Sequence, residues 1–424
     1  MLFSKKPKPK PKFRLEPFRR FSLFLQRTFE SRKTPLWTKN FVFINISNFL
    51  LFFSFYLLMP TLPFYLTDIF NIQNTHAGLI IAVYVLASTI IKPITAFFAD
   101  AFDRKRIYVF LFFIFTALYA GYIIAVTLIL FIIVRILQGF AFGALMTVSN
   151  ALVIDIIPRR RQGEGIGYFG LSGTFAMSMG PFIGLLFYDY FDFHYIFYAS
   201  LFCGAIGGLF AILVKAPLAE KTKNEPITLD RFLLIKGLPI GLNYLFLAIA
   251  YGMLTTYVAM YGKELNVWGS SGIFFIVLSI GLIISRLFSG KHIDKGRVLE
   301  IIKLGNIFAA FAFFLLFFAD KIPHSQSLMF FMAALLIGLS YGMIFPSFNV
   351  MFISLAPNSR RAAASSTYLT SWDLGIGLGI VFGGKIIDAI NISSIYAFAG
   401  LAAIISVLYF VSISSGYFVK NKLR

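Results

Sequence analysis

The sequence predicts an all-α integral membrane protein whose twelve transmembrane helices form two six-helix repeats. The chain is 58% apolar and only 13% charged, and its mean hydropathy of +0.82 lies far outside the range of soluble domains. Its apolar residues form runs of about 20, which suit membrane-spanning helices and are about twice the length of barrel strands. The second half of the chain also repeats landmarks of the first half.

Twelve apolar segments are predicted, and a polar stretch after the sixth divides them into two sets. The segments run over 41–65, 76–98, 107–125, 128–156, 165–187, 195–214, 237–261, 270–289, 300–319, 328–354, 362–386 and 393–415. Five regions follow: a basic tail with an amphipathic helix over 1–40, a bundle over 41–214, a linker over 215–236, a bundle over 237–415 and a basic tail over 416–424.

The internal repeat is the strongest sign of organisation. Residues 199 positions apart match as Pro158 with Pro357, Gly180 with Gly379, Gly184 with Gly383, and Asp189 with Asp388; Lys92 matches Arg286 at a similar offset. Six helices repeat in the same orientation, so the halves should be related by an axis along the membrane normal. A substrate site is then expected between the halves, near the middle of the membrane.

The net charge of +20 orients the chain rather than marking a nucleic-acid site. Twelve of the 38 Lys and Arg residues precede residue 40, and most others lie in alternate short loops and at the C-terminus. This positive-inside pattern predicts a multi-pass protein of the cell membrane with both termini in the cytoplasm.

No pattern for catalysis or cofactor binding is found in the sequence. The single cysteine, Cys203, excludes an internal disulfide, and the four histidines are scattered, so no metal site is expected. Gly-rich phosphate loops and convergent acid, base and nucleophile are also missing. We therefore expect neither an enzyme nor a cofactor, and we expect an ion gradient to supply the energy for any transport.

Asp373 is the most informative residue, because it lies near the middle of an otherwise uncharged segment. An ionised Asp at the bilayer centre costs roughly 2.5 to 3.5 kcal/mol on insertion scales, so its side chain should face protein or water. Gly375, Gly379 and Gly383 recur at every fourth residue on the opposite face and predict close helix packing. Two interpretations stay open: a functional acid, or a structural acid paired with a buried base.

Three motifs link the chain to a known family. The loop after the second segment carries Asp100, Arg104 and Lys105, and the second half echoes it with Asp294 and Arg297. The fourth segment carries Arg135 and Gly139 in an Arg-x-x-x-Gly pattern, and the fifth carries Gly180, Pro181 and Gly184. Over residues 40–415 these motifs resemble the major facilitator superfamily, and within it the twelve-helix drug/proton antiporters. Ala96, Ala101, Asp103, Ala176 and Leu185 depart from the family patterns.

The resemblance implies roles for these residues. It implies that Arg135 assists proton transfer and that the Gly180-Pro181 motif marks exporters and packs helices. It also implies a cytoplasmic charge network that holds one side of the transporter shut. The members of this network would be Asp100, Arg104, Lys105, Asp155, Arg161, Asp294 and Arg297.

Polar and aromatic residues that share single helix faces predict the wall of a substrate cavity, although most aromatics in so apolar a chain serve packing. The predicted wall comprises Asn45, Asn48, Phe52, Tyr56, Gln138, Phe142, Tyr244, Tyr251, Tyr341, Phe345, Thr370 and Trp372. Asp373 could hold a cationic substrate within it. Lys92 and Arg286 are expected to extend toward the cytoplasmic surface instead.

The sequence thus predicts a monomeric, proton-driven exporter of small amphipathic or drug-like molecules that works by alternating access. Asp373 would carry the proton with help from Arg135, and the partners would be substrate, protons and membrane lipid, without nucleic acid. A dedicated exporter of one metabolite, lipid or sugar is an alternative. A non-transporting membrane sensor or scaffold is another, and only a measurement of flux separates it from a transporter.

Overall fold

The computed structural model describes residues 35–158, 161–215, 234–267, 270–357 and 361–423, and these residues form helices and connections without strands. The predicted amphipathic tail helix and most of the predicted linker lie outside the described residues. The described helices, numbered in chain order, are α1 (Lys39–Leu58), α2 (Leu62–Asp68), α3 (Asn74–Ala101), α4 (Arg104–Ile124), α5 (Leu128–Ile156), α6 (Gln162–Tyr190), α7 (Phe193–Leu213), α8 (Leu238–Glu264), α9 (Ser270–Asp294), α10 (Val298–Phe318), α11 (Gln326–Leu355), α12 (Arg361–Ala389), α13 (Ile392–Tyr409) and α14 (Ser415–Asn421).

Several helices begin where a short polar side chain satisfies the first free backbone N–H groups. Thr38, Asp103, Thr127, Asp192 and Asn391 each accept such a hydrogen bond at the start of α1, α4, α5, α7 and α13. These caps lie in the polar connections between apolar runs, so the ends of the helices follow from the local sequence.

The apolar segments predicted from sequence correspond to the observed helices, with two local differences. The first segment is divided at Pro60 into α1 and α2, because proline has no N–H to continue the helical hydrogen-bond ladder. The last segment ends in a wider π-helical turn over Phe410–Ser414 before α14.

Eleven spans within the described residues are long and apolar enough to cross a membrane, with α1 and α2 counted as one span. α12 is less apolar, yet its 29 residues reach roughly 43 Å at the usual helical rise, and it packs against both α3 and α8. The chain is therefore an all-helical, multi-pass membrane protein.

The two halves of the chain pack by the same plan. In the first half α1 packs on α6 and α7, α3 on α5, and α4 on α7; in the second half α8 packs on α12 and α13, α9 on α11, and α10 on α13. Buried apolar side chains form one core in each half, with few members from the other half.

Small residues bring repeat-related helices together. A Cβ atom at Gly184 would overlap the carbonyl oxygen of Leu57 on α1, and one at Gly379 would overlap the carbonyl oxygen of Ile249 on α8. Gly180, Gly375 and Gly383 face the same two neighbouring helices, and α6 continues through Pro181. The glycine faces of α6 and α12 are thus closed against α1 and α8, which turns their other faces toward the opposite half.

Two ends of the bundle can be distinguished. The chain enters α1 and leaves α14 at one end, which we call the terminal face; there the backbone N–H of Lys215, after α7, donates to Asn40 Oδ1 at 3.1 Å. The opposite end, where α3 begins and α12 ends, is called the far face.

Candidate functional site

The halves meet along two seams, α3 against α12 and α6 against α9. The internal repeat relates these seams, because α3 corresponds to α9 and α12 corresponds to α6. Each seam carries one basic residue and one polar partner near the middle of its helices, so the same construction is used twice with different residues.

The first seam contains an ion pair. Lys92 Nζ on α3 donates to Asp373 Oδ2 on α12, and Thr89 Oγ1 lies 3.4 Å from the same oxygen. The side chains of Lys92 and Asp373 keep 21% and 20% of their exposure. Lys92 thus bridges the halves instead of extending to the terminal face as expected, and the sequence interpretation of Asp373 as an acid paired with a base matches this geometry.

The second seam contains a cation that has no acidic partner among the described residues. Arg286 Nη1 on α9 donates to Thr174 Oγ1 on α6 at 2.8 Å, and the Thr174 hydroxyl donates to the Gly170 carbonyl at 3.1 Å. Thr174 occupies the position that corresponds to Asp373 in the repeat. Arg286, like Lys92, therefore lies across a seam rather than at the surface where it was expected.

A cavity of about 560 Å³ lies between the halves beside Arg286. One wall comes from the first turns of α6, including Tyr168, and the other comes from α9, α11 and α12 through Arg286, Phe345, Asn349 and Tyr368. The α6 wall lies in its first turns, which start at the terminal face, so the halves stand apart on that side. The volume falls within the range typical of small-molecule sites.

At the far face the halves are in contact. Lys263 Nζ of α8 lies 2.8 Å from Asp189 Oδ1 of α6 and 3.8 Å from the centre of the Tyr188 ring. Asp388 of α12 accepts hydrogen bonds from the backbone N–H of Asn74 at 3.2 Å and of Thr75 at 2.7 Å, which caps α3. Asp189 and Asp388 are repeat partners, so the same position of the repeat joins α6 to α8 and α12 to α3 across the halves at the far face.

The predicted cytoplasmic charge network is only partly described. Arg104 Nη1 donates to both carboxylate oxygens of Asp155 at 2.9 Å, which joins α4 to α5 within one half. Lys105 lies at the start of α4, and Arg161 and Arg297 lie at the starts of α6 and α10. The side chains of Asp100 and Asp294 lie outside the described residues.

The aromatic residues predicted for the second half come together around Trp372. Its ring centre lies 5.1 Å from those of Tyr244 and Tyr251, 4.8 Å from that of Phe345 and 6.1 Å from that of Tyr341. Tyr244, Tyr251 and Tyr341 are buried, whereas Phe345 also lines the cavity. The buried rings therefore pack behind Phe345, on the side away from the cavity.

The polar residues predicted for the first half make their hydrogen bonds within that half. Asn45 donates to a main-chain carbonyl of α1 at 2.7 Å, Asn48 donates to a serine hydroxyl of α6 at 2.7 Å, and Gln138 accepts from a tyrosine hydroxyl of α4 at 2.7 Å. Asn48 and Gln138 are buried. The bonds of Asn48 and Gln138 join helices of one half, whereas that of Asn45 stays within α1. None of the three residues lines the cavity described above.

The remaining residues of the predicted wall lie on either side of the gap between the halves. Phe52 stacks on Tyr56 with ring centres 6.1 Å apart and meets the edge of Phe142 at 5.9 Å, all within the first half. Thr370 is partly exposed on α12, one turn before Asp373. The structure thus separates the predicted wall into two sets, one in each half.

Arg135 lies inside the first half, away from the seams. Its side chain is 1% exposed, its guanidinium lies 4.3 Å from the centre of the Tyr84 ring, and Nη2 lies 3.6 Å from Met59 Sδ. Within the described residues no hydrogen bond or ion pair joins Arg135 to Asp373. The basic partner of Asp373 is Lys92 instead.

Residues that sequence reasoning did not assign to the site are Lys92, Arg286, Thr174, Asn349, Tyr168 and Tyr368. The repeat carried a usable signal for the first three, because Lys92 matches Arg286 and Asp373 matches Thr174. Because each half supplies one basic position and one partner position, the repeat indicates two equivalent contacts between the halves. Asn349 and the two tyrosines carry no such signal.

Known proteins resemble this chain in sequence and fold. The family model of the Major Facilitator Superfamily matches residues 44–323 and 269–417. An uncharacterised MFS-type transporter of Methanocaldococcus jannaschii is 26% identical over 384 residues, which cover 87% of this chain and 96% of that protein. The staphylopine export protein of Staphylococcus aureus is 20% identical over 294 residues, covering 65% of this chain and 71% of that protein.

Solved structures agree with the sequence relatives. A peptide transporter of the POT family in complex with sulfate has a TM-score of 0.79 at 15% identity, covering 92% of this chain and 98% of that one. The nucleoside transporter NupG has a TM-score of 0.71 at 17% identity, covering 91% of this chain and 100% of that one. With the repeated six-helix halves and the cavity between them, these matches show that the chain belongs to the major facilitator superfamily of membrane transporters.

Proposed function

We propose that the protein exports small amphipathic molecules in exchange for protons, and that Asp373 is the proton-carrying group. The observation that carries the proposal is the ion pair between Lys92 and Asp373. It joins the two halves near the middle of α3 and α12, and both side chains keep partial exposure. Protons can therefore reach a group that also holds the two halves together.

The pair gives protonation a mechanical consequence. While Asp373 is ionised, it attracts Lys92 across the α3–α12 seam. A proton on Asp373 removes that attraction and weakens the seam, so each proton bound or released biases the equilibrium between conformations. Arg135 is buried away from Asp373, so any contribution it makes to proton transfer would act through the packing of α3 and α5.

The conformation also fits export. With the termini in the cytoplasm, as the positive-inside pattern predicts, the terminal face is the cytoplasmic side. The cavity is then open to the cytoplasm, and the far-face contacts of Lys263 and Asp388 hold the outer side shut. A substrate of an exporter would enter in this state.

The direction of transport rests on two further supports. The Gly180-Pro181 motif resembles that of exporters, and one relative is named as an export protein. The relation to transporters also favours transport over a non-transporting sensor or scaffold.

The proposal is tested by efflux from cells that lack their own pumps. Cells producing the wild type, Asp373→Asn or Asp192→Asn are loaded with chemically varied amphipathic drugs, and efflux is followed with and without a protonophore. Asp192 is a matched carboxylate outside the seams that caps α7. We expect protonophore-sensitive efflux from wild-type and Asp192→Asn cells only. Equal efflux from Asp373→Asn cells, at equal protein in the membrane, would show that Asp373 does not couple transport to protons.

A further inference from the structure

The two seams differ in charge although the repeat relates them. Lys92 is neutralised by Asp373, whereas Arg286 faces the neutral hydroxyl of Thr174. These four side chains therefore carry a net charge of one positive unit, and that charge belongs to Arg286. An uncompensated cation within a membrane costs roughly 2.5 to 3.5 kcal/mol on insertion scales, and no acid among the described residues offsets this one, so a bound anion would stabilise it.

Arg286 is placed to receive that counter-charge. It is the one charged residue among the described residues that line the cavity. Within the described part of the chain its guanidinium makes a single hydrogen bond, through Nη1 to Thr174, and that hydroxyl is itself committed to Gly170. The remaining N–H groups of the planar guanidinium suit an oxyanion, which can accept two parallel hydrogen bonds from the guanidinium.

A second polar group in the cavity lacks a partner. Asn349 Oδ1 is buried without a hydrogen-bond partner in the described structure, and Asn349 lines the same cavity as Arg286. A buried polar atom of this kind costs about 1–3 kcal/mol unless a ligand or water satisfies it. Tyr168, Phe345 and Tyr368 supply aromatic walls beside these two groups.

We propose that the cavity binds amphipathic organic anions, and that Arg286 holds their carboxylate or a similar oxyanion while the aromatic walls hold the apolar body. The proposal deepens the proposed function by naming its substrate class. It also replaces the expectation that Asp373 anchors a cationic drug. A cation would first have to displace Lys92, whereas Arg286 has no acidic partner among the described residues.

The proposal is tested by binding to the purified protein in nanodiscs, without a pH gradient. The probes are phenylbutyrate, its neutral amide phenylbutyramide and its cationic analogue phenylbutylamine, which share one apolar body. Thermal unfolding is measured as a function of probe concentration. We expect phenylbutyrate to stabilise the protein and the other two to have little effect.

Variants of the seam identify the residue responsible. Arg286→Gln should weaken phenylbutyrate binding by about tenfold or more, the range for a lost charge-assisted hydrogen bond. Arg286→Lys should retain part of it. Thr174→Asp gives Arg286 an acid in the manner of Asp373 and should abolish the preference for the carboxylate. The matched control is Lys303→Gln, which removes an exposed cation of α10 and should leave binding unchanged.

Three results would overturn the proposal. One is that the amide or the amine stabilises the protein as much as phenylbutyrate does, or that no probe stabilises it. Another is a carboxylate preference that survives both Arg286→Gln and Thr174→Asp. The third is that phosphatidylglycerol in the nanodisc stabilises the protein through Arg286 and that phenylbutyrate does not displace this lipid. That result would assign the arginine to a lipid headgroup.

The result is independent of proton coupling. Asp373→Asn should keep phenylbutyrate binding, because it leaves Arg286 and Thr174 in place. A failure of anion binding would therefore leave the coupling role of Asp373 to be judged by transport alone.

Discussion

The energetic coupling between Lys92 and Asp373 can be measured by a double-mutant cycle. At an effective dielectric constant of about 20, opposite unit charges about 4 Å apart attract by about 4 kcal/mol. Each side chain keeps about a fifth of its exposure, so water screens part of this attraction. We expect a coupling energy of about 1–3 kcal/mol, the range for residues in direct contact.

The cycle compares wild type, Lys92→Gln, Asp373→Asn and the double variant by equilibrium unfolding in mixed detergent micelles. Asp373→Asn should be more destabilising in the wild-type background than in the Lys92→Gln background, because only the former leaves a cation unpaired. Lys263 and Asp189 provide a matched pair at the far face; their side chains are 37% and 41% exposed, and we expect a coupling below about 1 kcal/mol. Additive effects of Lys92→Gln and Asp373→Asn, within about 0.5 kcal/mol, would refute the argument.

Two further predictions concern the seams and the packing of α12. Lys263→Gln removes an ion pair and a cation–π contact worth about 1 kcal/mol together, so the far face should open more often. Spin-label distances between the far ends of α4 and α10 should then lengthen, and an unchanged distribution would show that these contacts do not hold the halves together at the far face. Gly379→Ala places a Cβ against the Ile249 carbonyl and should cost about 1–3 kcal/mol of unfolding free energy. Gly167→Ala has open space around it and should be neutral or stabilise by up to about 1 kcal/mol, because alanine is the better helix former; equal losses would contradict the described packing of α12 on α8.

Much of the fold could be predicted from the sequence, because membrane helices carry their signal locally. The predicted segment 128–156 coincides with α5, and Gly379 faces α8 as its small-residue stripe suggests. The break at Pro60 was missed because its neighbours remain apolar on both sides, so composition alone joined α1 to α2.

The partner of Asp373 could not be predicted in the same way. Lys92 lies 281 residues away in the chain, and helical periodicity gives the face of a residue on its own helix but not the helix that it meets in the other half. A lysine within a few turns of a helix end also fits an extended conformation toward the surface. Only the repeat, which matches Lys92 with Arg286, connects these two cations to two equivalent seams.

The predicted cavity wall illustrates a different limit. Tyr244 and Tyr341 point into the core of the second half, whereas Tyr168 and Asn349 line the cavity. The same sequence forms every conformation of the transport cycle. A polar or aromatic helix face therefore does not indicate the conformation in which it lines the cavity.

The central claim is that a proton on Asp373 drives substrate movement, and uphill accumulation in proteoliposomes tests it most directly. An organic anion or drug identified by the efflux and binding assays is placed at equal concentration on both sides, and a pH gradient is imposed. The wild type should concentrate the substrate against its gradient until the pH gradient is collapsed by an ionophore. Asp373→Asn should only equilibrate it. Accumulation by Asp373→Asn to the wild-type ratio would contradict the assignment of the coupling acid.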